Sequence, residues 1–137
     1  MLTQQSFAPR VYDLIQRDPE NTPWDFALLK VGRHLRLSDT VKVVVGRRES
    51  ENELLRRLAA EPASRASAVL TPLNFPGPTA LIVGPAGDEA LDFAGGLILR
   101  FCHYAGADTP LVSVAGPQGR TVRAAVQAAE AEGAAIL

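Results

Sequence analysis

"ALIVGPAGDEALDFAGGLILR" (residues 80–100) and "LVSVAGPQGRTVRAAVQAAE" (residues 111–130) read as one unit used twice. Each opens on apolar, strand-like residues, Ala80–Val83 and Leu111–Val114, and breaks at Gly-Pro-x-Gly. Each then continues with apolar residues at helical spacing. Leu91, Ala94, Ile98 and Phe101 line one face of a helix from Asp88 to about Tyr104. Val122, Ala125, Val126 and Ala129 line a second helix that runs to about Glu132. Strand, tight turn and helix in alternation predict an α/β fold. The expected architecture is a single-domain layered sandwich, with a mixed or mostly parallel sheet flanked by helices and joined by right-handed crossovers. Neither Gly-Pro-x-Gly loop has the G-x-x-x-x-G-K-[ST] spacing of a phosphate loop, and proline removes an N–H that such a cradle would use.

The rest of the chain supplies the remaining layers. Phe7, Val11, Leu14 and Ile15 predict a helix over 6–16. Thr22, Pro23 and Asp25 are an N-cap, an N1 proline and an N3 acid, so a short helix over 23–31 follows, stopped by Gly32. A short strand is expected at 35–37 and a β-branched one at 41–46. Ser50 and Glu53 have capping-box spacing, which predicts a helix over 50–60 with Leu54, Leu55, Leu58 and Ala59 buried. A strand over 68–73 leads to the rigid turn Asn74–Pro78. The organisation is therefore one domain over 1–137, with a helical lead-in over 1–30 and an α/β core over 31–137.

Composition excludes several function classes. The 137 residues are 47% hydrophobic and 21% charged, enough for one real core. No apolar run approaches the ~18 residues of a membrane span, and the N-terminal residues lack the build of a signal peptide. Cys102 is the single cysteine, and with His34 and His103 it makes no metal cluster. No cofactor is implied, no nucleophile or paired-carboxylate pattern points to catalysis, and a reducing, cytoplasmic setting follows as the default.

Charge is where the sequence speaks. The chain has a formal net charge of −1, yet Lys30 to Arg48 holds six Lys/Arg against the single acid Asp39, a local +5. Val-Gly-Arg occurs twice within it, at 31–33 and 45–47. A basic segment on an acidic body is suited to a polyanion. At the second copy a strand ends, Arg47 and Arg48 follow, and a helix begins, so guanidinium forks meet a helix N-terminus, with Asn52 able to donate and accept. In the first copy, alternation puts His34 and Arg36 on the strand face opposite Leu35 and Leu37, which is expected to be solvated. The same cations could instead pair with Glu49, Glu51 or Glu53 on the surface.

"VVVGRRESENELL" (residues 43–55) resembles the G-R-x-x-x-x-N-x-x-L signature of the RNA-binding domain of NFACT proteins, through Gly46, Arg47, Asn52 and Leu55. With "LLKVGRH" (residues 28–34), it resembles the variant at the C-terminus of PP-loop tRNA 2-thiouridylase-like proteins. Leu2-Thr3 and the helix through Leu14 fit the junction to that tail. The resemblance implies a non-catalytic RNA-binding module, directed at tRNA and linked to its thiolation, with a PP-loop sulfur-transfer enzyme as a possible partner. The S-G-G-x-D-S motif of that enzyme is absent from this chain, so ATP-dependent thiolation is not assigned to it. Arg33, His34, Arg47, Arg48 and Asn52 are expected to line the RNA contact, with Lys30, Arg36 and Lys42 at its edge. Two alternatives stand beside this: a small phosphate-ligand binder or enzyme using the strand-to-helix loops, and a module that docks a separate PP-loop enzyme.

Overall fold

A computed structural model describes residues 4–102 and 108–137. Six strands form one sheet: β1 (Arg33–Arg36), β2 (Lys42–Val45), β3 (Ala66–Pro72), β4 (Ala80–Val83), β5 (Leu111–Gly116) and β6 (Gly119–Ala124). Five helices accompany them: α1 (Gln4–Arg17), α2 (Pro23–Leu28), α3 (Glu49–Ala60), α4 (Asp88–Arg100) and α5 (Ala129–Gly133). The spatial order is β1-β2-β4-β3-β5-β6, and every neighbouring pair is antiparallel.

This corrects the expected mixed or mostly parallel sheet. The strands that a helix connects do point the same way, β2 with β3 through α3 and β4 with β5 through α4. In each case another strand, β4 or β3, lies between them and runs oppositely. The β-α-β alternation is therefore present but split, and no two parallel strands touch.

The two Gly-Pro-x-Gly stretches also part company. After Gly84–Gly87 the chain enters α4, with Asp88 and Glu89 in its first turn facing the helix dipole. Gly84 has φ +107°, and a Cβ there would collide with the Thr40 carbonyl. Gly116-Pro117-Gln118-Gly119 is instead a hairpin: Gly116 pairs with Gly119, which has φ +115°, and the chain returns as β6. A two-residue loop, Pro117-Gln118, closed by a positive-φ glycine and followed by Arg-Thr-Val-Arg favours a strand over a helix. The apolar residues expected on a helix face there are largely unburied, with Val122 63% exposed. α4 ends at Arg100, short of Tyr104; Tyr104 lies outside the described residues, as do Leu2 and Thr3.

The sheet packs helices on both faces, fully on one side and over part of the other. Toward α4 and α5, Leu35, Val43, Val45, Leu70, Ile82 and Val112 pack against Phe93, Ala94, Leu97 and Ile98. Toward α2 and α3, Val44 and Leu81 meet Trp24, Leu28, Leu55 and Leu58, and Trp24 Nε1 donates to the Leu58 carbonyl at 2.8 Å. α3 starts one residue earlier than expected, with Arg48 at the N-cap in place of Ser50, and Leu54, expected in the buried stripe, is exposed. The chain's end covers part of the β1 edge: Ile136 bridges Leu35, and Leu137 N–H donates to the His34 carbonyl.

Phe93→Ala should cost about 3–5 kcal/mol by opening the larger core. Val122→Ala, within a stretch the sequence reads as helical, should stay within about 0.5 kcal/mol. Urea unfolding of both variants checks the hairpin assignment.

Candidate nucleic-acid interface

β1 and β2 pair with Arg33 opposite Val45, so the two Gly-Arg corners lie side by side at one end of the ladder. Gly32 has φ +71°, and a Cβ there would stand 2.6 Å from the Val45 carbonyl oxygen, so only glycine fits this approach. A Cβ on Gly46 would collide with Asn52 Oδ1.

One carboxylate joins the two corners. Glu51 Oε2 accepts from Gly32 N–H at 3.0 Å, and Oε1 accepts from Arg47 N–H at 3.0 Å. The Arg47 fork closes on the same group, Nε to Oε1 at 2.9 Å and Nη2 to Oε2 at 2.8 Å. Glu51 is 4% exposed, and the Arg47 guanidinium leads the effects that hold its carboxyl down at about pKa 2. Arg47 remains exposed, with two of its five donors committed to Glu51.

Three more arginines share this field. Arg33 lies over the Phe101 ring at 4.5 Å, and Arg100 over the same ring at 4.8 Å. Arg100 also donates to the Ala131 and Ala134 carbonyls. Arg10 is 4% exposed and donates to the Leu29 carbonyl at 2.8 Å. Burial and then the Arg47 charge lower the pKa of both Arg10 and Arg33, against a smaller opposing pull from Glu51. Arg100 adds to the depression at Arg33. Among the described residues, the corner therefore gathers several guanidinium groups around the Glu51 carboxylate. Lys30 and Arg48 stand exposed beside it, Arg48 donating to Ser50 Oγ at 3.2 Å.

Other expected contact residues lie elsewhere. His34 is fully buried, against the expectation of a solvated face, because α2 and the residues after it cover that side of β1. Its Nε2 donates to the Leu28 and Val31 carbonyls at 3.1 and 3.0 Å. Burial, then the Lys42 and Arg10 charges, push its pKa well below the usual imidazole value, so it is neutral. Arg36 and Lys42 pair with each other at the far end of the ladder, three residues or ~10 Å from Arg33. Arg36 grips Asp13 through Nε and Nη2, and Lys42 is buried with its pKa lowered to about 8, chiefly by burial. Asn52 is a brace: its Oδ1 accepts from Thr79 N–H at 3.0 Å, tying α3 to the chain entering β4.

Sequence reasoning missed Arg10, Arg100 and Phe101, which lie far from the basic segment in the chain. It treated Glu51 as a surface competitor for cations. The spacing of four between Arg47, just before the cap of α3, and Glu51 in its first turn was the available signal.

The family model of the NFACT protein RNA binding domain matches residues 32–135. The chain belongs to this family. The match begins at Gly32, the first corner glycine, and RNA is the partner class it carries. Among solved structures, the chain is similar to the C-terminal part of the fibronectin/fibrinogen-binding protein from Streptococcus suis. The TM-score is 0.56 at 11% identity, over 93% of this chain and 66% of that one, so the likeness concerns the fold alone. Among curated proteins there is no significant match.

A carboxyl held at about pKa 2 instead of 4.5 stabilises the fold above pH 4.5, and that stability is lost as pH falls from 4.5 toward 2. Urea midpoints of the family member should fall across that window. Glu51→Gln should lower the midpoint at pH 7 and flatten its dependence between pH 4.5 and 2.

Proposed function

We propose that this domain is a non-catalytic RNA-binding module that grips the phosphate backbone at the paired Gly-Arg corners, with tRNA as its RNA. The observation that carries this is the gathering of guanidinium groups around Glu51. Arg33 and Arg47 flank it, Lys30 and Arg48 extend it into solvent, and Glu51 fixes the direction of the Arg47 fork. Phosphate oxygens relieve the mutual repulsion of such groups and accept their remaining donors. His34 and Asn52 serve the interface from behind, as buried supports of the two corners. Arg36 and Lys42 lie outside the contact.

The resemblance of residues 28–34 and 43–55 to the tail of PP-loop tRNA 2-thiouridylase-like proteins supports a role beside tRNA thiolation in the cytoplasm. In that role the module presents tRNA to a separate sulfur-transfer enzyme. With a net charge of −1, the whole molecule attracts RNA only locally, so affinity is modest and the salt slope shallow.

Fluorescence anisotropy with tRNA across a salt series tests the reading. Log affinity should fall linearly with log salt, at a slope of roughly −2 to −4 for a few phosphate contacts. Lys30→Gln, Arg33→Gln and Arg48→Gln together should weaken binding at least tenfold while leaving the urea midpoint within error. Affinity that ignores both salt and these substitutions overturns it.

A further inference from the structure

On the side of the sheet facing α3, the helix covers β4 and part of β3 and leaves β5 and β6 without a helix among the described residues. The result is an open groove of about 640 Å³ between the C-terminal half of α3 and the β5–β6 hairpin. Its sheet floor carries small residues such as Ala115, Ala59 faces it from α3, and four hydroxyl-bearing residues, Thr71 and Ser113 among them, line it. The exposed Val122 lies directly opposite Ser113 across the β5–β6 ladder, extending the same sheet face beyond the floor.

Two guanidinium groups line this groove, and no carboxylate does. Arg120 is steadied by a hydrogen bond from Nη1 to the hydroxyl of the buried Ser113 at 3.2 Å. Arg56 is steadied by Thr79 Oγ1 at 3.0 Å and by Glu49 at 2.9 Å. Planar cations held in place beside a shallow floor of small residues suit a flat ring carrying a phosphate. Unpaired bases stack on guanidinium planes as they do on aromatic rings, while a paired base is withheld inside its duplex. The groove and the corner site share one helix. Arg48 caps the start of α3, and Arg56 sits eight residues further along the same helix, ~12 Å away along its axis.

We infer that this groove is a second RNA contact, taking one unpaired nucleotide of a strand whose backbone is held at the Arg33–Arg47 corner. The base lies on the sheet floor at Ala115, beside Ala59 of α3, and the neighbouring phosphates meet Arg56 and Arg120. This inference rests on the RNA-binding reading above and adds to it a preference for single-stranded segments.

The test uses an unpaired hexaribonucleotide and a blunt RNA duplex, each titrated with the wild-type protein, with Arg120→Gln and with the groove-filling Ala115→Phe. Each groove variant should weaken hexamer binding about tenfold and leave duplex binding within twofold. The triple Lys30, Arg33 and Arg48 variant should weaken both. Should Ala115→Phe fail to fold, Arg120→Gln, which alters an exposed side chain, decides alone. Groove variants that leave hexamer binding unchanged, or that weaken duplex binding equally, overturn the inference while the corner site stands. Wild-type protein that binds tRNA but not the hexamer overturns the groove alone, and protein that binds none of the three RNAs overturns the RNA-binding reading and the groove with it.

Discussion

The carboxylate of Glu51 is the point on which this end of the molecule depends. It takes two backbone N–H groups, one from each Gly-Arg corner, and both arms of the Arg47 fork. Burying an ionised carboxylate is costly unless its lone pairs are met, and here four donors meet them. The same contacts set the angle at which α3 leaves β2, hold β1 beside it, and aim Arg47. Removing the acid would leave the buried Gly32 N–H and the half-buried Arg47 N–H without their acceptor and a guanidinium without its partner, so structure and charge display fail together.

The family signature is intelligible in these terms. Gly46 is small because Asn52 Oδ1 occupies the space beside it, and Asn52 is held there by Thr79 N–H. Leu55 sits fully buried against the α2 side of the sheet. Gly46, Asn52 and Leu55 thus shape a corner, and Arg47 is the member that shapes it and also faces solvent. The basic segment, uniform in the sequence, is divided by the fold. Arg36 is spent on Asp13 and Lys42 is buried, while Lys30, Arg33, Arg47 and Arg48 remain at one end. α3 then runs from that end to the groove bordered by Arg56, so one helix links both surfaces.

Much of this was legible in the sequence. The bounds of β4, the Thr22–Asp25 start of α2 and the family resemblance all follow from local chemistry, whereas α2 stops at Leu28, short of the expected Gly32. The sheet's direction was not legible, because Gly-Pro-x-Gly serves both a strand-to-helix turn at 84–87 and a hairpin at 116–119. What separates them is the acidic first turn after Gly87 and the β-branched run after Gly119, which weighs less in a pattern search than apolar spacing. His34 was misplaced for a different reason. Strand alternation says which residues share a face, and only tertiary packing says that α2 covers it. Glu51 resembled its surface neighbours Glu49 and Glu53, and beyond its spacing from Arg47 it is the arrival of Gly32, just before β1, that distinguishes it.

Amide hydrogen exchange, residue by residue, in the wild-type protein and in Glu51→Ala tests the central link most directly. If one carboxylate joins the corners, Gly32 and Arg47 amides lose protection together in the variant, while Leu81 and Ile82 in β4 keep theirs. Loss of protection at Arg47 alone, with Gly32 unchanged, would contradict the account.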